Sequence, residues 1–152
     1  MNEKVRKECV SAMFELYPRA RKLMYKSFDR LDDDLTRTQQ IILLSLAIRD
    51  NLSMSQLASK ICTSNEQATR AVTQLVDKGL VNRTQNKTNR RVVNITLTQK
   101  ARDHIEAAKK AALAESFSNS QLISDEEMQA INNSVHTILE IIKKLDSNDI
   151  IY

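Results

Sequence analysis

Apolar positions along the chain form helical stripes at both ends, with shorter and mixed patterns between them. From Val5 to Leu23 they recur at 5, 9, 12, 16, 20 and 23, the three-and-four spacing of one helix face. Pro18 interrupts that stripe by removing a backbone donor and crowding the carbonyl of Phe14, so a kinked helix or two abutting helices are expected. The acidic run at 32–34 marks a break. Thr36 and Gln39 form a capping-box pair ahead of "IILLSLAI" at 41–48, which reads as a largely buried helix. "DNLS" at 50–53 reads as a connector or a very short strand. The same cap signature recurs at Ser53 with Gln56 and at Ser64 with Gln67, opening a short helix to about Ile61 and another to Lys78. Gly79 ends the latter in the left-handed position that glycine occupies cheaply.

Two strand-like runs follow, "LVNRT" at 80–84 and "RVVNITL" at 91–97, so the residues between them are a hairpin tip. The tip has no glycine, and Asn86 and Asn89 are expected to supply any positive φ in a loose loop. Thr98 caps a long helix rich in Ala and Lys, reaching about residue 118. Ser124 and Glu127 form another capping box, with Ile123 and Met128 as its hydrophobic staple. The last helix carries Met128, Ile131, Val135, Ile138, Ile142 and Leu145 on a narrow seam that favours packing against another helix, including one from a second chain.

A chain of 152 residues with 41% hydrophobic and 28% charged residues suits one soluble domain. One Gly and one Pro agree with a mainly helical fold with few tight turns. No apolar run approaches the ~20 residues needed to cross a bilayer, and the first ten residues lack a secretory signal pattern, so a cytoplasmic location is expected. The net charge of +4 is unevenly spread. Residues 1–34 sum to +1, residues 35–100 to +7 and residues 101–152 to −4. A basic middle suggests a surface shaped for a polyanion.

The helix opened by Ser64 has two faces. Ala68, Ala71, Val72 and Leu75 make a core stripe, and Glu66, Arg70, Thr73 and Asp77 centre the opposite side, flanked by Gln67, Thr69 and Gln74. Two short helices, a tight link at residues 62–63 and a basic hairpin form a winged helix-turn-helix pattern. Its second helix suits the major groove, where Gln reads adenine and Arg reads guanine. The same face also suits a merely solvated helix with Arg70 paired to Glu66. The hairpin favours the first reading, because Arg83, Lys87, Arg90 and Arg91 fall within eleven residues that contain no acid. Such a tip is suited to phosphates or the minor groove.

These residues resemble the MarR (multiple-antibiotic-resistance regulator) family of transcription factors. The likeness is carried by "LTRTQQIILLSL" at 35–46, "LASKICTSNEQATRAVTQLVDKGLVNR" at 57–83, "NRRVVNITLTQKA" at 89–101 and "ISDEEMQAIN" at 123–132. It implies a single domain over 1–152, with dimerisation helices at about 1–34 and 101–152 and a DNA-binding lobe at about 35–100. It also implies a homodimer on a pseudopalindromic double-stranded operator, most often a repressor released by a small aromatic or anionic effector. Carried over by position, Ser64, Asn65, Gln67, Thr69, Arg70 and Thr73 are recognition-helix contacts. Arg83 lies at the base of the wing, and Lys87, Thr88, Arg90 and Arg91 lie at its tip. Three positions depart from the family pattern: Asn89 replaces an Asp that stiffens the wing, Ala101 replaces a Gly, and Cys62 stands where Gly is common.

Tyr17, Arg21 and Tyr25 recur at i, i+4 and i+8 and are candidates to hold a phenol or carboxylate; packing plus a surface cation is the plainer reading. Peroxide-sensing relatives carry a cysteine where "MFELY" at 13–17 has Met13, which leaves Cys9 as the alternative redox route. Cys9 reads as an inert, partly buried thiol and Cys62 as a structural one between packed helices. His104 and His136 lack metal-ligand spacing, so no metal or cofactor is expected. Nor does the chain carry a Gly-rich phosphate loop or a nucleophile elbow, which weighs against an enzyme. A winged-helix module for protein contact is the remaining alternative, and the wing cations weigh against it.

Overall fold

The computed structural model describes residues 2–31, 34–86, 88–89, 91–116 and 123–147. Its elements run α1 (Glu3–Asp29), α2 (Arg37–Ile48), β1 (Leu52–Ser53), α3 (Met54–Lys60), α4 (Asn65–Asp77), β2 (Val81–Gln85), β3 (Val93–Leu97), α5 (Gln99–Ser116) and α6 (Asp125–Ser147). The acidic pair Asp32 and Asp33 lies outside the described residues, as does the expected end of α5 near residue 118.

Each helix start follows from its cap. Thr36 accepts from the Gln39 amide and Gln39 returns a bond to Thr36, and Ser53 and Gln56 do the same. Ser64 caps α4 through the Gln67 amide, but the Gln67 side chain turns to the Thr63 hydroxyl instead of closing a box. Ser124 and Glu127 close the expected box on α6. Pro18 lies inside one continuous helix of 27 residues, not at a junction of two. A single missing backbone bond is small against so long a run, and Arg19 Nη1 donates to the Glu15 carbonyl at 2.7 Å beside it.

Two helix ends share one geometry. After α4, Leu80 N–H bonds to Leu75 O and Gly79 N–H to Val76 O, with Gly79 at φ +70°. After α3, Thr63 N–H bonds to Ala58 O and Cys62 N–H to Ser59 O, with Cys62 at φ +51°. Both are Schellman turns, and in the second a cysteine holds the left-handed position. Cys62 is therefore an exposed corner residue, not a thiol between packed helices, and Cys9 is exposed rather than partly buried.

The sheet is antiparallel with order β1-β3-β2, pairing Leu52 with Ile95 and Arg83 with Ile95 from the other side. One core fills the space under it, built from Ile42, Leu43, Leu46, Leu57, Val72, Leu75 and their neighbours between Leu35 and Ile105. α1 joins it at its C-terminal end, where Phe28 is buried, and packs along α5. α6 makes no substantial contact with the rest of the described chain, and its apolar residues Ile131, Val135, Ile138 and Ile141 stand exposed. The N-terminal half of α1 is similarly uncovered, with Phe14 78% exposed.

Candidate nucleic-acid interface

Burial sorts α4 as its sequence pattern requires. Ala68, Ala71, Val72 and Leu75 are its buried residues, and their packing fixes which side faces water. Ser64, Asn65, Gln67, Thr69, Arg70 and Thr73 are all exposed. In the free chain Arg70 pairs with Glu66, one turn back, so it must exchange that partner before it can meet a base. The exchange is cheap, because an exposed i,i+4 pair contributes only about 0.3–0.5 kcal/mol.

The wing is tied to this helix. Arg83, exposed on β2, donates from Nη1 to Thr73 Oγ1 at 3.2 Å, and that hydroxyl donates to Thr69 O at 2.9 Å. At the tip, Asn86 Oδ1 accepts from the Thr88 amide (2.9 Å), the Thr88 hydroxyl (2.6 Å) and the Asn89 amide (3.2 Å). Asn89 Oδ1 accepts from the Arg91 amide at 3.1 Å. The asparagines thus organise the tip as side-chain acceptors; neither takes a positive φ, and Cys62 is the non-glycine residue that does so among the described residues. Their short amides reach backbone donors two or three residues on, a signal the sequence did carry. Arg91 and Thr88 are exposed. Lys87 and Arg90 lie outside the described residues.

Behind the interface, buried Gln39 donates from Nε2 to Gln74 Oε1 on α4 at 2.7 Å, a link across 35 residues that sequence reasoning missed. Two clefts flank the second half of α1. One, about 220 Å³, is apolar, lined by Leu23, Met24, Phe28, Leu44, Ile105 and Ala108 among others. The other, about 440 Å³, brings together Tyr17, Arg21 and Tyr25, the three residues proposed from spacing, and adds Lys22, Lys26, Asp29 and Arg37. Arg21 and Arg37 lie over the Tyr25 ring at 5.5 and 4.6 Å from its centroid. Arg37 also grips Asp29 with two bonds of 2.6 and 2.7 Å. That donation holds the Asp29 carboxyl below its ordinary 3.8 and raises Arg37 above its ordinary value. Among the described residues no group of three His, Cys, Asp or Glu side chains is placed to hold a metal, and no helix is long and apolar enough to cross a membrane.

Residues 35–93 match the MarR family model. No curated protein matches the chain in sequence. Solved structures match over most of its length. RV1404 from Mycobacterium tuberculosis is 19% identical with a TM-score of 0.74, covering 93% of this chain and 95% of its own. A MarR transcriptional regulator from Methanosarcina mazei is 22% identical at TM-score 0.65, with 91% and 99% covered. A cysteine-to-serine mutant of MarR from E. coli, solved in complex with operator DNA, is 17% identical at TM-score 0.57, with 91% and 99% covered. At such identities the structures speak for the fold, and the segment matched by the family model falls within the winged lobe, from before α2 to the start of β3. Residues 35–93 thus match the MarR family, and the chain as a whole has the winged helix-turn-helix fold of these solved structures, with long helices on either side of the matched segment.

Proposed function

We propose that this protein is a homodimeric, sequence-specific regulator of transcription that represses by occupying a pseudopalindromic double-stranded operator and leaves it when a small effector binds. The observation that carries the reading is the joining of α4 to the wing. An exposed polar helix face and a cationic hairpin are held together through Arg83 and Thr73, so one lobe offers base readers and phosphate binders side by side. The uncovered apolar faces of α1 and α6 supply the dimerisation surface, in keeping with the division at about 1–34 and 101–152. In the pair, two α4 helices about 34 Å apart meet successive major grooves. The E. coli MarR solved on operator DNA has this fold, which supports the same use of it here. Tyr17, Arg21 and Tyr25, in one cleft beside the joint of α1 and α2, are the effector residues.

Mobility shift on fragments from the protein's own gene neighbourhood tests this. Wild type should bind one fragment tightly and lose affinity steeply with salt, since each phosphate neutralised releases counterions. Arg70→Ala should lose about 1–3 kcal/mol of discrimination at one base position, while Arg91→Ala should weaken all sequences alike. Indifference of both variants and of wild type to DNA sequence and salt would remove the proposal.

A further inference from the structure

We propose that Gln74 is a phosphate contact of the α4 face, and that Gln39 holds its side-chain amide with the nitrogen turned out toward the DNA backbone. The inference rests on the reading of the protein as a DNA binder, and adds to it a residue and the device that aims it.

The two ends of an amide side chain differ in what they can bond: the oxygen accepts and the nitrogen donates. A backbone N–H can only donate, so the 2.9 Å bond from Thr36 N identifies the atom it meets as Gln39 Oε1. The other end of Gln39 is therefore Nε2, and the atom 2.7 Å from it on Gln74 must be the acceptor Oε1. Gln39 is only 1% exposed, so reversing this order would bury opposed donors with no water between them. Gln74 is exposed, and its Nε2 meets no acceptor among the described residues. What α4 offers there is a donor whose own acceptor is turned inward.

Gln67 is not held in this way. Its partner is the Thr63 hydroxyl, which can donate or accept, so the Gln67 amide can turn over without losing the bond. An adenine edge asks for one donor and one acceptor, which Gln67 can supply and Gln74 cannot. Position separates them too. Gln67 lies in the first turn of α4 and Gln74 in the last, and recognition helices bring their N-terminal residues to the bases. A donor farther along the helix suits a phosphate oxygen. Thr73, its neighbour, is tied to the wing through Arg83, so adjacent residues fix α4 to β2 and to α2.

The fragment bound by wild type and a scrambled version of it, titrated by mobility shift at several salt concentrations, test the contact. Gln74→Leu should weaken both by the same factor, about tenfold, as expected for a hydrogen bond to a charged group. The slope against salt should stay as in wild type, because a neutral donor displaces no counterion. Gln39→Glu tests the aim at about pH 8, where its carboxylate is charged. Glutamate serves the capping box as glutamine does, but its second oxygen can only accept. Gln74 must then donate to it and turn Oε1 outward, against the phosphate. Gln39→Glu should therefore weaken both DNAs by at least about tenfold, and by less than about twofold when Gln74 is already leucine. Side-chain amide NMR of the free wild type reads the same order without a variant: the Gln39 amide protons should exchange slowly with water and those of Gln74 fast. Unaltered affinity in Gln74→Leu overturns the contact, and a loss that tracks one base pair overturns the phosphate in favour of a base. No loss from Gln39→Glu, equal losses in both backgrounds, or slowly exchanging Gln74 protons overturn the aim. Tight binding that Gln74→Leu leaves intact sinks this inference alone, whereas wild type indifferent to DNA sinks the regulator reading with it.

Discussion

The winged lobe and the terminal helices solve the problem of burial in opposite ways. Between Leu35 and Ile105 the chain closes a core on itself, with Ile42, Leu43, Leu46, Leu57 and Ile95 fully covered. α6 and α1 are the longer helices, at 23 and 27 residues, yet α6 and the first half of α1 leave their apolar residues in water. Long helices in proteins draw most of their stability from a covered face. The difference teaches that the lobe closes its core within one chain, while the flanking helices leave apolar seams that the proposed dimer would cover.

Four perturbations break or sharpen that contrast. The largest is Leu46→Ala, which removes a fully buried side chain from the lobe and should cost about 2–5 kcal/mol in a denaturant melt. Next, Ile138→Glu places a charge on the exposed seam of α6. The lobe should keep its fold, while light scattering should report monomers in place of dimers and DNA affinity should fall at least about tenfold. Retention of the dimer in this variant would detach α6 from assembly. Smaller is Cys62→Gly, which relieves a left-handed cysteine and should raise lobe stability by about 1 kcal/mol without touching the terminal helices.

The smallest concerns the joint between the two regions. Asp29 has its carboxyl lowered by Arg37, so its contribution is present above the ordinary 3.8 and is lost as pH falls through the lowered value. Because the pair is half-exposed and screened, that contribution is about 1 kcal/mol or less. Thermal melts of wild type and Asp29→Asn should differ slightly at neutral pH and converge in acid. A gap that widens on acidification would contradict the assignment.

Much of this fold was legible because it is local. The caps at Thr36, Ser53 and Ser64 are written within four residues, and the core stripe of α4 follows from a period of 3.6. Gly79 likewise announces its own turn. Cys62 misled because the same turn was imposed there by its hydrogen bonds in spite of the residue type. At the hairpin tip, asparagine permits both positive φ and side-chain acceptance, and the structure uses the second. Of the candidate site, exposure of the α4 face was foreseeable from its buried side. The ties of Arg83 to Thr73, Gln39 to Gln74 and Arg37 to Asp29 were not, since each joins elements whose approach only tertiary packing decides.

The thiol at the corner between α3 and α4 also has a practical use. It sits on a hydrogen-bonded bend, is exposed and lies two residues before the cap of α4. Once the other exposed thiol is removed by Cys9→Ser, a maleimide dye on Cys62 becomes a ruler at the foot of the reading head. In a two-subunit assembly, energy transfer between the two labels would follow head-to-head separation directly, with and without DNA.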